Sequence, residues 1–416
     1  MDANKKTVEG LYIPPKTFSI IENLLDYNAF FRQYLETNTP CLIRAKSIME
    51  KWQSCSDWID SEKQIPNLDF FKKLLNINEH TVPVSNCGQK YFNSQEKCDM
   101  SFESFLKYWN KPREDSELNC FYLKDWHFVK EVPQYKPYQT PEYFSSDWLN
   151  EYLENSNQNH SVTQDFKKSD YKFVYIGPKG SWTPFHSDVF GSYSWSANVV
   201  GEKEWIFFPP GYEKFLIDSS SREVFYDIYK VLPSDANLSL FDQQSFTYRG
   251  QKIIYYIVRQ KQNEIIFVPS GWYHQVSNVE NTISINHNWF NATNLENIWS
   301  SLCNEMKKVE SEISDCKAGC KDLNEWNIMC QNLLRHSHGM NVADFIDLCA
   351  FIAKRRIESL NFLKNSMVKE GYEFRQNHVI YDLRALKKVL SDIDIGLFLH
   401  QNKSKIIEAI NNSLEQ

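Results

Sequence analysis

Three side chains set the chemistry open to this chain: His186, Asp188 and, far downstream, His274. Two imidazoles and a carboxylate can occupy one face of a six-coordinate metal ion and leave the other face open. Imidazole suits ferrous iron, the carboxylate offsets part of its charge, and the open face admits a chelating co-substrate and O2. The order of metal affinities favours several other divalent ions as well, so the residue types alone do not select iron. The His-x-Asp spacing fits a strand, where side chains two apart point to the same side.

Elements able to position these ligands lie around them. Residues 171–177 are aromatic and β-branched and read as a strand, and residues 192–200 alternate small or polar with larger side chains. A turn at 201–204 leads to a short apolar strand at 205–208, ended by Pro209, Pro210 and Gly211. His274 is expected in a hairpin made of 265–268, a turn at 269–271 and 272–276, with one more strand at 282–286. Short strands separated by turn signals describe a β-barrel or sandwich in which the three ligands can meet.

The segments Thr183-Pro-Phe-His-Ser-Asp188, Ser194-Trp195, Gly201-Glu-Lys-Glu-Trp205, Phe208-Pro-Pro210 and Val268-Pro-Ser-Gly-Trp-Tyr-His274 resemble the JmjC oxygenases. These are double-stranded β-helix enzymes of the cupin type that use Fe(II) and 2-oxoglutarate. Tyr122-Leu-Lys-Asp-Trp-His127, Tyr143-Phe-Ser-Ser-Asp-Trp-Leu149, Ser284-Ile-Asn-His-Asn-Trp289 and Ile352-Ala-Lys-Arg-Arg-Ile357 resemble one branch of that family, whose members hydroxylate a translation factor. The resemblance covers residues 80 to 365 and implies a mixed α+β fold. Its parts are a jelly-roll-like barrel, N-terminal α/β elements and a C-terminal helical bundle.

The resemblance also assigns roles. His186, Asp188 and His274 would hold the iron, and Lys203 the distal carboxylate of 2-oxoglutarate. Thr183 and Tyr122 stand where hydroxyls help hold the same co-substrate, Asn288 matches a site-lining asparagine, and Asn286 stands where some relatives have threonine. Ser196 follows Trp195 where several relatives carry asparagine, so that hydrogen bond is altered or passes to Asn198. The implied reaction is a 2-oxoglutarate-dependent dioxygenation consuming O2. Its implied outcome is C4 hydroxylation of the lysine in the Asn-Ile-Lys-Ser motif of eukaryotic translation termination factor 1, supporting translation termination in the cytoplasm.

Other readings stay open. A JmjC histone-lysine demethylase would use the same centre on an N-methyl group, but such enzymes usually append zinc-coordinating readers, whose spacings are absent. A non-catalytic binding protein could keep a cupin pocket, although no ligand is missing here. Lys203 could be a solvated turn lysine, yet alternation aligns it with Trp205 at the head of an apolar strand. The ten cysteines follow no disulfide framework. Cys316, Cys320 and Cys330 with His336 and His338 invite a zinc reading that the missing Cys-x-x-Cys pair weakens.

Composition bounds the partners. Net charge is −7 and 15% of residues are aromatic, so phosphate-mediated nucleic-acid binding has no global support and a protein substrate fits better. The first residues lack an apolar signal segment, no run reaches membrane-spanning length, and Asn291-Ala-Thr293 is expected to be a chance sequon. Three regions are expected: 1–115, mixing a helix at 26–35, a strand at 41–44 and an amphipathic helix at 101–109; the barrel at 116–290; and helices at 291–416. Residues 218–262 look like an insertion between barrel strands, with a hairpin at Arg249-Gly250. Asn341 should cap a helix whose stripe is Val342, Phe345, Leu348 and Ile352, and shorter helices are expected at 378–393 and 404–410. The C-terminal helices could also join two copies of the chain.

Overall fold

The β-branched and aromatic runs pair into two main sheets, beside two short two-stranded ones among the described residues. The computed structural model describes residues 7–8, 11–75, 79–111, 119–155, 170–233, 239–365, 372–393 and 400–415. Packing divides the chain into two compact units, one of residues 1–145, 171–188 and 193–288, the other of 146–170, 189–192 and 289–416. The N-terminal elements belong to the same unit as the barrel. The expected boundary at 115/116 falls outside the described residues.

The larger sheet has nine strands in the order Ser19–Ile21, Cys41–Arg44, Glu264–Val268, Tyr193–Val200, Thr282–Trp289, Lys172–Gly177, Phe121–Trp126, Thr81–Tyr91 and Ser94–Ser101. The smaller has five, in the order Trp182–His186, Tyr273–Asn278, Lys203–Phe208, Gln251–Gln260 and Gln244–Tyr248. Their inner faces meet in a core of Leu42, Ile266 and Val268 from the larger sheet and Trp205, Phe207, Tyr256, Val258 and Val276 from the smaller. This is the cupin-like, mixed α+β fold that the strand pattern implied.

Several local expectations need correction. Asp188 is not on a strand: Trp182–His186 ends at His186, and Asp188 lies in the connection before a 3-10 turn at Val189–Gly191. His274 is not in a hairpin. Glu264–Val268 pairs in the larger sheet and Tyr273–Asn278 in the smaller, so the turn between them crosses from sheet to sheet, with Gly271 at φ 73°. The turn at 201–204 is shorter than expected, and Lys203 opens the strand Lys203–Phe208, as its alternation with Trp205 implied.

The expected insertion at 218–262 is also only part insertion. Gln251–Gln260 is a barrel strand, pairing Trp205 with Val258 and Phe207 with Tyr256. The hairpin before it is real, with Arg249 at φ 48° and Gly250 at φ 77° between Tyr248 and Gln251. The rest, apart from 234–238 outside the described residues, covers the outer face of the smaller sheet. Ile228 and Phe246 pack there, with the preceding Tyr212 and Leu216, against Phe185, Ile206, Phe208, Tyr255 and Ile257.

The early helix is Tyr27–Phe30 continued as a π-helix at Phe31–Leu35, and the amphipathic helix is Phe102–Asn110, capped by the Ser101 hydroxyl. In the other unit, Leu295–Glu312 buries Leu295, Ile298, Leu302 and Val309. Val342–Asn365 starts at a reciprocal cap: Asp344 N–H donates to Asn341 Oδ1 and Asn341 N–H to Asp344 Oδ2, both at 3.0 Å. The last two helices, Tyr372–Asp392 and His400–Glu415, are longer than their apolar periodicity predicted. No helix among the described residues is long and apolar enough to cross a membrane.

Candidate active site

Register brings the ligands together. His186 ends an edge strand and lies opposite His274, which in turn faces Phe207 across the next strand. The two rings are 4.4 Å apart between centroids. One ligand atom each from His186, Asp188 and His274 lie within 4.8 Å of one another, and these are the only three such side chains so gathered among the described residues. Cys316, Cys320 and Cys330 form no comparable cluster.

The donor set is prepared for a cation. His186 Nδ1 lies 2.7 Å from the Pro184 carbonyl oxygen and His274 Nδ1 3.0 Å from that of Trp272. A carbonyl oxygen only accepts, so Nδ1 donates in both rings and the Nε2 lone pairs are left for a metal. Burial first, and the neighbouring His274 second, lower the His186 imidazole to about 4, which keeps it neutral at physiological pH. Asp188 Oδ2 accepts from the Ser194 hydroxyl at 2.7 Å, fixing the carboxylate.

Backbone anchoring extends to the crossing turn. Asn38, itself at φ 53°, accepts from Ser270 N–H at 3.1 Å and donates to the Ser270 carbonyl at 2.8 Å. The Trp272 indole N–H donates to the Asn38 carbonyl at 2.9 Å. Asn38 therefore positions the turn that delivers His274, a role with no signal in the sequence beyond an asparagine that tolerates the left-handed region.

Lys203 is 1% exposed, and its ammonium lies 3.2 Å from the Tyr122 hydroxyl. No acidic side chain among the described residues pairs with it. Burial, with Lys124 as a second contributor, lowers its pKa to about 7. A buried cation without a counter-ion is costly, and its usual remedy is an anion supplied by a ligand. Thr183 is paired with Val276 and Val276 with Trp205, so Thr183 shares the inner face with Lys203. Ser284 faces Tyr175 across a strand pair, and Asn286 and Asn288 alternate onto that same face. The Asn286 amide donates to the Ser284 hydroxyl at 3.1 Å, and Asn288 is buried.

Ser196 is buried with an unpartnered hydroxyl, while the Asn198 amide nitrogen donates to the Gly201 carbonyl at 2.6 Å. One of the two amide N–H donors of Asn198 is therefore committed to the turn. Tyr175 was missed from sequence: its ring lies 6.0 Å from the Lys203 ammonium and 5.8 Å from the Tyr122 ring. It looked like one more aromatic on a strand, and only the pairing reveals which way it faces.

Comparison with known proteins agrees with this geometry. A family described as cupin-like domain matches residues 27–295. The chain is 37% identical to the 2-oxoglutarate and iron-dependent oxygenase JMJD4 homolog of Drosophila melanogaster, covering 88% of this chain and 85% of that protein. It is 41% identical to the JMJD4 oxygenase of Danio rerio, covering 82% and 76%. It is also 42% identical to the arginine-specific demethylase JMJ20 of Arabidopsis thaliana, covering 77% and 66%. This chain belongs to the JmjC family of cupin-like oxygenases. It is a 2-oxoglutarate and iron-dependent dioxygenase.

The residues present fit both groups. The donor set of this JmjC oxygenase is two neutral imidazoles and a carboxylate, suited to Fe(II). Lys203 is a buried cation with no acidic partner among the described residues, suited to one end of a dicarboxylate. When bound, iron and 2-oxoglutarate supply an O2-dependent oxidation that yields succinate and CO2 and puts one oxygen atom into a substrate C–H bond. The protein's share is to hold the co-substrate, fix the substrate carbon and exclude water.

Proposed function

We propose that this oxygenase is a protein-lysine 4-hydroxylase of eukaryotic translation termination factor 1, working in the cytoplasm. In this reading His186, Asp188 and His274 hold the iron. Lys203, with Tyr122 and Thr183, holds the distal carboxylate of 2-oxoglutarate, and Ser196, Asn286 and Asn288 line the chamber. The observation that carries the catalytic part is the complete ligand set beside a buried lysine with no acidic partner. A non-catalytic pocket would have no reason to retain that uncompensated charge. The substrate part is supported by the branch-specific segments around Tyr122 and Ser284 and by the identity to JMJD4 oxygenases of several animals.

A second reading is demethylation, favoured by the 42% identity to a relative named an arginine-specific demethylase. It uses the same oxygen insertion, on an N-methyl carbon that then leaves as formaldehyde. The experiment that separates them is mass spectrometry of recombinant termination factor and of methylated histone peptides. Each is incubated with the enzyme, Fe(II), 2-oxoglutarate and O2, beside a His186→Ala control. One added oxygen on the motif lysine, absent in the control, supports the hydroxylase. Methyl loss with formaldehyde supports the demethylase, and neither product with no succinate formed refutes catalysis. Dimerisation through the C-terminal helices goes with this reading, and light scattering of the full chain tests it.

A further inference from the structure

The strand Phe121–Trp126 is not a regular neighbour of Lys172–Gly177. Val174 pairs with Trp126 and Ile176 with Leu123, so Lys124 and Asp125 together oppose the single residue Tyr175. Asp125 takes a left-handed conformation, φ 61°. A two-against-one bulge of this kind re-aims side chains and is common beside active sites.

The two bulged residues have different fates. Asp125 is tied down, accepting from the Tyr175 hydroxyl and from the Lys97 ammonium, each at 2.8 Å. Burial works against its ionisation, but Lys124, Lys97 and these hydrogen bonds outweigh it and hold the carboxyl at about 2. Lys124 makes no hydrogen bond and no ion pair within 4 Å among the described residues. It lies two residues beyond Tyr122 on the strand and so faces the same side, where Tyr122 meets Lys203 at 3.2 Å.

We propose that Lys124 is a second cationic binding residue for 2-oxoglutarate, facing the carboxylate at the metal-chelating end while Lys203 faces the distal one. The other donors that the sequence pointed to near that end are neutral, and the Asn286 amide already donates to the Ser284 hydroxyl. Ser196 offers only a hydroxyl, and one of the two Asn198 amide N–H groups is taken by the Gly201 carbonyl. The charge of Lys124 acts on both His186 and Lys203, as a group standing between the two ends of the chamber would. Burial lowers the Lys124 ammonium below the usual lysine range, and a bound carboxylate would offset that cost.

The test is calorimetric binding of N-oxalylglycine, an unreactive isostere of 2-oxoglutarate, to the Mn(II)-loaded full chain. Lys124→Met should weaken that binding about tenfold, the scale of one charge-assisted contact, with Mn(II) affinity unchanged and no fall in melting temperature. Lys124→Arg should restore most of it. With a working protein substrate, KM for 2-oxoglutarate should rise while KM for the protein holds. Unchanged N-oxalylglycine affinity in Lys124→Met overturns the proposal. So does a raised KM for the protein substrate alone, which would put Lys124 on the substrate path. Parallel loss of Mn(II) binding also overturns it, since the lysine would then be structural. The calorimetry needs no protein substrate, so failure of the substrate reading does not touch it.

Discussion

Lys203→Met should make the ligand-free protein more stable while removing its affinity for 2-oxoglutarate. The lysine is 1% exposed and has no acidic partner, and burial takes its pKa from the ordinary 10.5 to about 7. At about 1.4 kcal/mol per pH unit, that fall corresponds to about 5 kcal/mol held against folding below pH 7. Relaxation and water entry reduce what is realised, so methionine should recover about 1–3 kcal/mol at pH 7. At about 2–4 °C per kcal/mol for a unit of this size, the melting temperature should rise by several degrees. The sign also fixes a pH dependence. Between pH 7 and 10.5 the unfolded chain binds the proton that folded Lys203 has lost, so this residue's contribution to stability increases with pH across that window. The variant should lack that increase. Thermal melts of both proteins at pH 7 and pH 9.5, with and without N-oxalylglycine, measure all three effects. A Lys203→Met protein that melts lower than the parent without ligand, or that still gains stability from N-oxalylglycine, would refute the account of Lys203 as a stored, ligand-awaiting charge.

Other perturbations have defined outcomes. Gly177→Ala would set a methyl 2.1 Å from Asn278 Nδ2, 2.6 Å from the Tyr122 ring and 2.7 Å from Ser181 Oγ. It should cost about 1–3 kcal/mol in urea titrations and raise KM for 2-oxoglutarate through Tyr122. Arg356→Ala strands Asp382, with which Arg356 pairs at 2.8 Å, and leaves Glu151, now paired at 3.1 Å with Arg356, to Arg355 alone. A loss of about 3–5 kcal/mol in chemical denaturation is expected. Because His186 is lowered to about 4, it resists protonation in mild acid, and stability linked to its neutral form drains away only as pH falls from about 6.5 towards 4. Mn(II) binding followed by electron paramagnetic resonance should persist at pH 5.5 in the parent protein, and half-loss near pH 6.5 would contradict this.

What sequence made legible was chemistry carried by residue type. His186, Asp188 and His274 stand out because few side chains suit a transition metal, and Lys203 because alternation aligns it with Trp205. Strand existence was legible for the same reason, through β-branched and aromatic runs. Partnership was not. Residues 264–268 and 273–278 read as a hairpin because a turn joins them, yet they lie in different sheets. Gln251–Gln260 looked like part of an insertion because nothing local reveals that its partner is Lys203–Phe208. Asn38 and Tyr175 act through contacts far along the chain, where sequence patterns carry no signal.

Both ligand histidines are oriented by a carbonyl two residues back on their own chain, Pro184 for one and Trp272 for the other. Among the described residues no side chain hydrogen-bonds to either ring, so no single side-chain substitution can delete the group that sets the tautomer. The two imidazole ligands are thereby insulated from changes in the walls of the chamber, with Asp188 alone held by a side chain, Ser194. Descendants of this fold can trade wall residues, and with them the side chain they oxidise, without re-tuning the metal each time. One scaffold can in this way serve hydroxylases and demethylases alike.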